Sequence, residues 1–449
     1  MEYPTPATAA SAPIPSQSAD EPNGGPSGQN RNDAGASSNS AQGERVEDAA
    51  KAMSTLQIGP QTTPAIGPPL ELFIDYELQP ADTRVSIDDG YQMLCSYSWV
   101  SKQKEPEPTI SVPGHLPSWR PLDFHLYPYI APERAGRSGE ANSSPVLEFP
   151  FDPVFKAMKV MNPAFKFDHV DILANRSSLV TLFAFCKRTN IKEMLRINLY
   201  MVRNTLVIER PGEFAKDSTT GQGIPDHRKF LEAHSPDNMS NAEGHHRVLR
   251  YQLGDLNCVV RTQADTIYTT TRGYHLEFQA GPVQESLADL RRLLEWLDID
   301  DNGGVAVPGS TVGLIENGDE VLHSHVAEVT TSVEGYYNWR PAIRLPWLWF
   351  GRTPCLIHGS KSRGNYITKI DQHILHNDLR KWENNEHNED ALRNMVTLLH
   401  GLRAAAQRSK TGACVAICPR PRYPLHLNVF EMPEAKSPLP RATIEEFWS

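Results

Sequence analysis

The sequence predicts an α+β fold, a mixed β-sheet core with flanking helices, and three observations carry that expectation. Residues 197–202 and 205–210 flank Arg203-Asn204, and residues 248–251 and 256–260 flank Gly254-Asp255. Apolar-rich runs on either side of a turn-forming pair read as hairpins. Interleaved with these are helical stretches, the plainest at 286–297, where Leu287, Leu290, Leu293, Leu294 and Leu297 form one stripe. No internal repeat is present, so strands and helices must share one layered core.

The elements follow in chain order. Residues 70–78 read as a first strand and 92–100 as a second. The proline-rich passage 106–132 is expected to run over the surface without regular structure, pinned by Trp119, Phe124, Tyr127 and Tyr129. Residues 133–145 are polar and read as a loop. Val154, Phe155, Met158 and Met161 have helical spacing, so 153–161 is a helix. A short strand at 170–173 precedes a helix at 177–185 that opens on a serine cap. After the first hairpin, 211–244 is loop-rich with a helical piece at 227–234. The second hairpin ends on Thr262-Gln263-Ala264-Asp265, where Gln263 and Asp265, two apart, share a face of the strand. Residues 326–332 read as a strand, 342–350 as a short helix bent at Pro346, and 355–358 as a strand that 364–367 pairs with or follows. A helix at 389–407 and a strand at 425–430 complete the reading.

Length and composition bound the rest. The chain has 449 residues, room for two or three domain-sized units. Residues 1–66 are rich in Pro, Ala, Ser, Gly, Asn and Gln, with almost no large apolar side chains. Such a stretch cannot bury enough surface to offset its chain entropy, and is expected to be a disordered low-complexity tail. That leaves residues 67–449 as a single α+β domain. The start lacks the basic and apolar runs of a secretory signal, and Asp20, Glu21 and Asp33 argue against a mitochondrial presequence. No apolar stretch is long enough to span a bilayer, so no membrane partner is expected. Six scattered cysteines form no CxxC pair and read as reduced buried thiols, which points to a nuclear or cytoplasmic protein. A net charge of -10 argues against a general nucleic-acid coat protein but leaves room for a local basic groove.

Acids at two-residue spacing mark the one constellation with chemistry in it. Asp265 follows Gln263 at the end of one strand, and Glu328 precedes Thr330 in another. A metal-dependent nuclease needs two or three hard carboxylate ligands for Mg2+ or Mn2+ beside the scissile phosphate, often with a lysine. Other features carry less. His245 and His246 are adjacent and so face opposite ways on a strand, which keeps them from one ion. Asp298, Asp300 and Asp301 run into a helix end, without the one-turn spacing that a diphosphate-binding helix requires. Trp339, Trp347 and Trp349 read as core packing in preference to base stacking.

Taken together, the order of these segments resembles the DXO-like decapping and 5′-end-processing exonuclease family, whose core is similar to the PD-(D/E)xK nucleases. The resemblance covers about residues 92–430 and looks closest to a fungal branch of hypothetical proteins. Ser96-Tyr97-Ser98-Trp99 and Pro108-Thr109-Ile110-Ser111-Val112-Pro113-Gly114 are similar to that branch's start. Asn175-Arg176-Ser177-Ser178-Leu179 resembles the family's arginine-bearing motif, which implies Arg176 as a substrate-binding residue. Phe230-Leu231-Glu232 falls on a Phe-Glu motif, Arg261-Thr262-Gln263-Ala264-Asp265 on Glu-x-Asp, and Ala327-Glu328-Val329-Thr330-Thr331 on Glu-x-Lys-Thr. Residues 347–354 sit where the family places a glutamine-bearing helix.

The departures from the family pattern decide the expected function. Asp265, Glu328 and Arg176 are kept; Gln263, Thr330 and Arg352 stand where the family has an acid, a lysine and a glutamine. Glu232 serves as a ligand only if its motif slips by one residue. The resemblance therefore implies Asp265 and Glu328 as catalytic residues, and Asp265, Glu328 and Glu232 as ligands for Mg2+ or Mn2+ if the site is competent. Losing a carboxylate and the lysine removes several kcal/mol, on the order of one or two electrostatic stabilisers. The leading expectation is thus a catalytically impaired DXO-like domain that binds RNA 5′ ends or a protein partner. The alternatives are an active Mg2+/Mn2+-dependent RNA 5′-end hydrolase using Glu232, and an interaction scaffold with no nucleic-acid role.

Overall fold

The computed structural model describes residues 68–100, 107–122, 128–130, 147–188, 195–210, 226–235, 242–268, 312–334, 344–419, 424–433 and 437–449. All fall in one compact unit, Gln61–Ser449. The tail at 1–66, the loop at 133–145 and the helix expected at 286–297 lie outside the described residues.

In chain order the elements are β1 (Glu71–Ile74), β2 (Gln92–Val100), β3 (Thr109–Gly114), α1 (Asp152–Met161), β4 (Ile172–Asn175), α2 (Arg176–Cys186), β5 (Leu195–Val202) and β6 (Thr205–Glu209). Then come α3 (Asp226–His234), β7 (Ala242–Leu253), β8 (Leu256–Ala264), β9 (Thr266–Ile267), β10 (Gly313–Gly318), β11 (Val326–Val333) and α4 (Leu345–Phe350). The chain closes with β12 (Cys355–Lys361), β13 (Ile367–Ile374), α5 (His376–Glu383), α6 (Glu386–Arg408), β14 (Ala413–Cys418), β15 (His426–Glu431) and α7 (Arg441–Phe447).

Two mixed sheets result. The larger runs β1-β15-β14-β5-β6-β4-β8-β7-β2-β3-β10 and the smaller β13-β12-β11-β9. Alternation along the strands of the large sheet sends Leu249, Cys258 and Val260 to one core, where α2, α4 and α6 pack through Phe183, Trp349 and Leu399. Val248 and Val259 point the other way, to a second core closed by α1 and α7 through Phe155 and Phe447. The small sheet has its own core, in which Phe230 and Leu231 of α3 pack on Ala327, Val329 and Ile357. Each fully buried side chain of this size contributes roughly 1.5–3 kcal/mol.

The α+β class and both hairpins appear as the sequence indicates. Gly254 turns β7 into β8 at φ 66°, a left-handed conformation that glycine adopts without strain. Other expectations are corrected. The proline-rich passage is not free of structure: β3 sits inside it, between β2 and β10. Ile110 and Val112 are fully buried there, so apolar alternation among the prolines suffices, and Pro113 falls near the strand end. The helix expected at 177–185 starts at Arg176, with Asn175 at its N-cap and no side-chain capping bond. The serines therefore lie in its first turn. Pro346 does not bend α4 but stands at its start, where its missing N–H is no loss. Residues 363–365 turn the chain, Tyr366 bridges to Tyr129, and the strand is Ile367–Ile374. β1 stops at Ile74, where Glu77 N bonds back to Ile74 O.

Candidate functional site

The two sheets meet at the end of β8. The chain leaves the large sheet at Ala264, passes through Asp265 and enters the small sheet as β9, which pairs with β11. Asp265 secures this joint: its backbone N donates to Ala327 O at 3.3 Å, and its Oδ2 accepts from Val329 N at 2.8 Å. The strand ends before Asp265, so the two-residue rule that would give it the face of Gln263 no longer applies. Its carboxylate reaches β11, while Gln263 lines a cleft.

That cleft follows from the neighbouring strand. β4 runs parallel to β8, with Asn175 beside Arg261, and passes directly into α2. Residues 175–177, His246 of β7 and residues 261–263 line a small cleft open to solvent. From the first turn of α2 the Arg176 side chain bonds Glu328 Oε1. The indole of Trp347 completes the arrangement: its Nε1 donates to the same oxygen at 3.0 Å, and the Arg176 guanidinium lies over its ring at 3.8 Å. Arg176 is 3% and Glu328 8% exposed, so this is a buried ion pair capped by a stacked aromatic. Gly351 makes room for it, since a Cβ there would lie 2.7 Å from the guanidinium.

Arg261, which also lines the cleft, is held differently. Its Nε donates to Asn175 Oδ1 at 2.8 Å and one terminal nitrogen donates to Pro150 O at 2.7 Å, with the Phe151 ring 5.1 Å away. Those acceptors are neutral, and among the described residues no carboxylate pairs with it. His246 stacks on Tyr97 at 5.0 Å. Burial, reinforced by the charges of Arg261 and Arg176, pushes its pKa down to about 3, so the ring is neutral near pH 7. Its neighbour His245 faces away, bonded through Nδ1 to Ser98 Oγ at 2.8 Å.

The remaining candidates stand apart. Thr330 Oγ1, two residues beyond Glu328, accepts from Arg344 at 3.1 Å. Glu232 lies on α3, whose Phe230 packs on Ala327 and Val329. Those residues alternate with Glu328, so α3 covers the other face of β11, and Glu232 faces Arg228 at 3.4 Å. Arg352 has left the site for the core, with its guanidinium 4.3 Å from the Tyr251 ring centre and 4.2 Å from that of Trp349. Burial pushes its pKa down.

These residues do not fit a divalent cation. A metal needs several carboxylate oxygens converging on one point. Here Glu328 is committed to a guanidinium and an indole N–H, Asp265 to a backbone amide, and Glu232 to Arg228 across the sheet. Among the described residues no group of three or more His, Cys, Asp or Glu is placed to hold a metal ion. Two participants escaped sequence reasoning. Trp347 looks like plain core, and nothing local shows its N–H bonding a residue 19 positions away. Arg261 did leave a signal, since it lies two residues before Gln263 on one strand face.

A family model described as Domain of unknown function (DUF8563) matches residues 71–448. No curated protein matches the chain. Among solved structures, Scheffersomyces stipitis Rai1 in complex with (3'-NADP)+ and calcium ion is similar over 83% of this chain and 94% of that one, at 11% identity and a TM-score of 0.50. Candida albicans Rai1 in complex with pU5-Mn2+ covers 82% and 97%, at 10% identity and 0.47. K. lactis Dxo1 in complex with manganese covers 82% and 99%, at 9% identity and 0.45. At such identities the likeness is one of fold, and that fold is the DXO-like one the motifs resemble. No helix among the described residues is long and apolar enough to cross a membrane.

Proposed function

We propose, for a chain that belongs to the DUF8563 family and folds like Rai1, a role as a catalytically impaired DXO-like domain that binds RNA 5′ ends. One observation carries this reading: the Arg176 guanidinium and the Trp347 N–H both occupy Glu328 Oε1, where a catalytic ion would need that carboxylate. A fixed internal cation satisfies Glu328 without offering open coordination positions. It supplies no activated water, and Gln263 and Thr330 provide neither a second acid nor a lysine. What remains is a rigid cleft with two guanidinium groups on its walls. The Rai1 of Scheffersomyces stipitis is seen with a phosphate-bearing nucleotide, and we carry over that ligand class without its calcium.

The test combines binding and turnover on the full chain. Labelled RNA carrying a 5′-triphosphate or a cap is titrated at several salt concentrations and incubated with Mn2+. The expected result is salt-dependent affinity, with a slope of about 0.7 per phosphate neutralised, and no release of product. Arg176→Ala, which uncovers the Glu328 carboxylate beside the cleft, should weaken binding in protein that circular dichroism shows to be folded. Turnover that Asp265→Ala abolishes would overturn the reading in favour of an active hydrolase. Absence of any RNA affinity would turn the search to protein partners.

A further inference from the structure

Building on the reading of this cleft as an RNA-end site, we infer that it is an anion site which holds a terminal phosphate directly, without a bridging metal, and that Arg261 is its principal binding cation. Among the described residues its wall carries two guanidinium groups, one imidazole, one hydroxyl and two carboxamides, and no carboxylate. The nearby acid, Glu328, is already neutralised by Arg176. Gln263 presents an amide. Among the described residues no counter-ion is placed against Arg261, whose bonds to Asn175 Oδ1 and Pro150 O fix its plane without cancelling its charge. A half-buried cation held open to a cleft, with no counter-ion among the described residues, favours an anionic ligand.

The surrounding groups are donors suited to phosphate oxygens. Ser177 and Gln263 line the same space, whereas Thr262, between Arg261 and Gln263 on β8, turns to the other face and donates its hydroxyl to Gln263 O at 3.3 Å. α2 begins at the cleft, and the Asn175 oxygen that would otherwise cap it is taken by Arg261, which leaves the cap without a side-chain bond. The field of that helix adds to the preference for negative charge. His246 stays neutral near pH 7 and so contributes hydrogen bonding only. A phosphate monoester at a chain end, doubly charged and with three free oxygens, uses more of these donors than an internal phosphodiester does.

The test uses the full chain in the presence of EDTA. Fluorescence anisotropy compares one oligoribonucleotide sequence with a 5′-monophosphate and with a 5′-hydroxyl. The expected result is at least tenfold tighter binding of the phosphorylated end, relieved by inorganic phosphate. Two variants probe the cause. Arg261→Gln removes the cation, and Gln263→Glu returns an acid to the wall while leaving the bonds of Arg261 in place. Both should erase the preference, with unchanged circular dichroism. If RNA binds but both ends bind alike, or if both variants keep the preference, the phosphate site is refuted while the RNA-end reading stands. If neither RNA binds, both fall.

Discussion

Replacing Arg176 by methionine should destabilise the protein by about 3–5 kcal/mol, because it leaves Glu328 as a buried carboxylate without its cation. The surroundings explain why the cost is high. Glu328 is 8% exposed, so water cannot replace the guanidinium, and only the Trp347 N–H remains to it. That bond offsets on the order of 1.5–3 kcal/mol of a desolvation penalty several times larger. The stack on Trp347, at 3.8 Å, is lost as well. The partner variant Glu328→Leu should also be costly, since it strands Arg176 in the same place. The double variant, with apolar groups on both sides, should lie much closer to the parent. Urea unfolding at pH 7, read by circular dichroism with the slope checked for constancy, gives all four corners of the cycle. A cost below about 1 kcal/mol for Arg176→Met would refute the reasoning, because that is the size of an exposed surface pair.

Three further outcomes follow from the same geometry. Burial pushes the pKa values of His323 and His358 down to about 3, so the unfolded chain, with histidines near 6.5, binds more protons between those limits. Stability is therefore full above about pH 6.5 and is lost as pH falls towards 3, by up to roughly 2 kcal/mol per histidine at pH 5; H323Q/H358Q should flatten the profile of melting temperature against pH. Asp265→Ala should cost about 1–3 kcal/mol by orphaning the Val329 amide, whereas Asp265→Asn, which keeps an acceptor, should cost little; equal effects in chemical denaturation would contradict the joint role of this side chain. Gly351→Ala places a Cβ 2.7 Å from the Arg176 guanidinium and 2.9 Å from Thr353 Oγ1. It should cost about 1–3 kcal/mol by overpacking, measured as a lowered urea midpoint.

How much of this was legible in the chain depends on the range of each interaction. The β7–β8 hairpin announces itself because alternation and a Gly-Asp turn act within a few residues. α6 does so through a long amphipathic repeat. β14 did not, because Ala413–Cys418 is apolar throughout and buried on both faces, so no period of two distinguishes it. β3 was hidden by its prolines. In the site, the motif positions of Arg176 and Glu328 can be read, but not their contact, which spans 152 residues and joins the helix after β4 to a strand of the other sheet. The sequence makes Asp265 one of a strand-face pair, and the chain's change of sheet redirects it. Gln263 was read as a lost ligand; beside Arg261 its neutrality instead helps to define the sign of the cleft.

The most direct measurement is a calorimetric titration of Mn2+ into the full chain, beside the D265N/E328Q variant, which keeps the hydrogen-bond acceptors of both residues. Each preparation is then tested for hydrolysis of 5′-triphosphate and capped RNA. No saturable binding up to millimolar Mn2+ and no hydrolysis are expected, in a preparation that still binds RNA. Micromolar binding that disappears in the variant, together with Mn2+-dependent cleavage, would contradict that expectation.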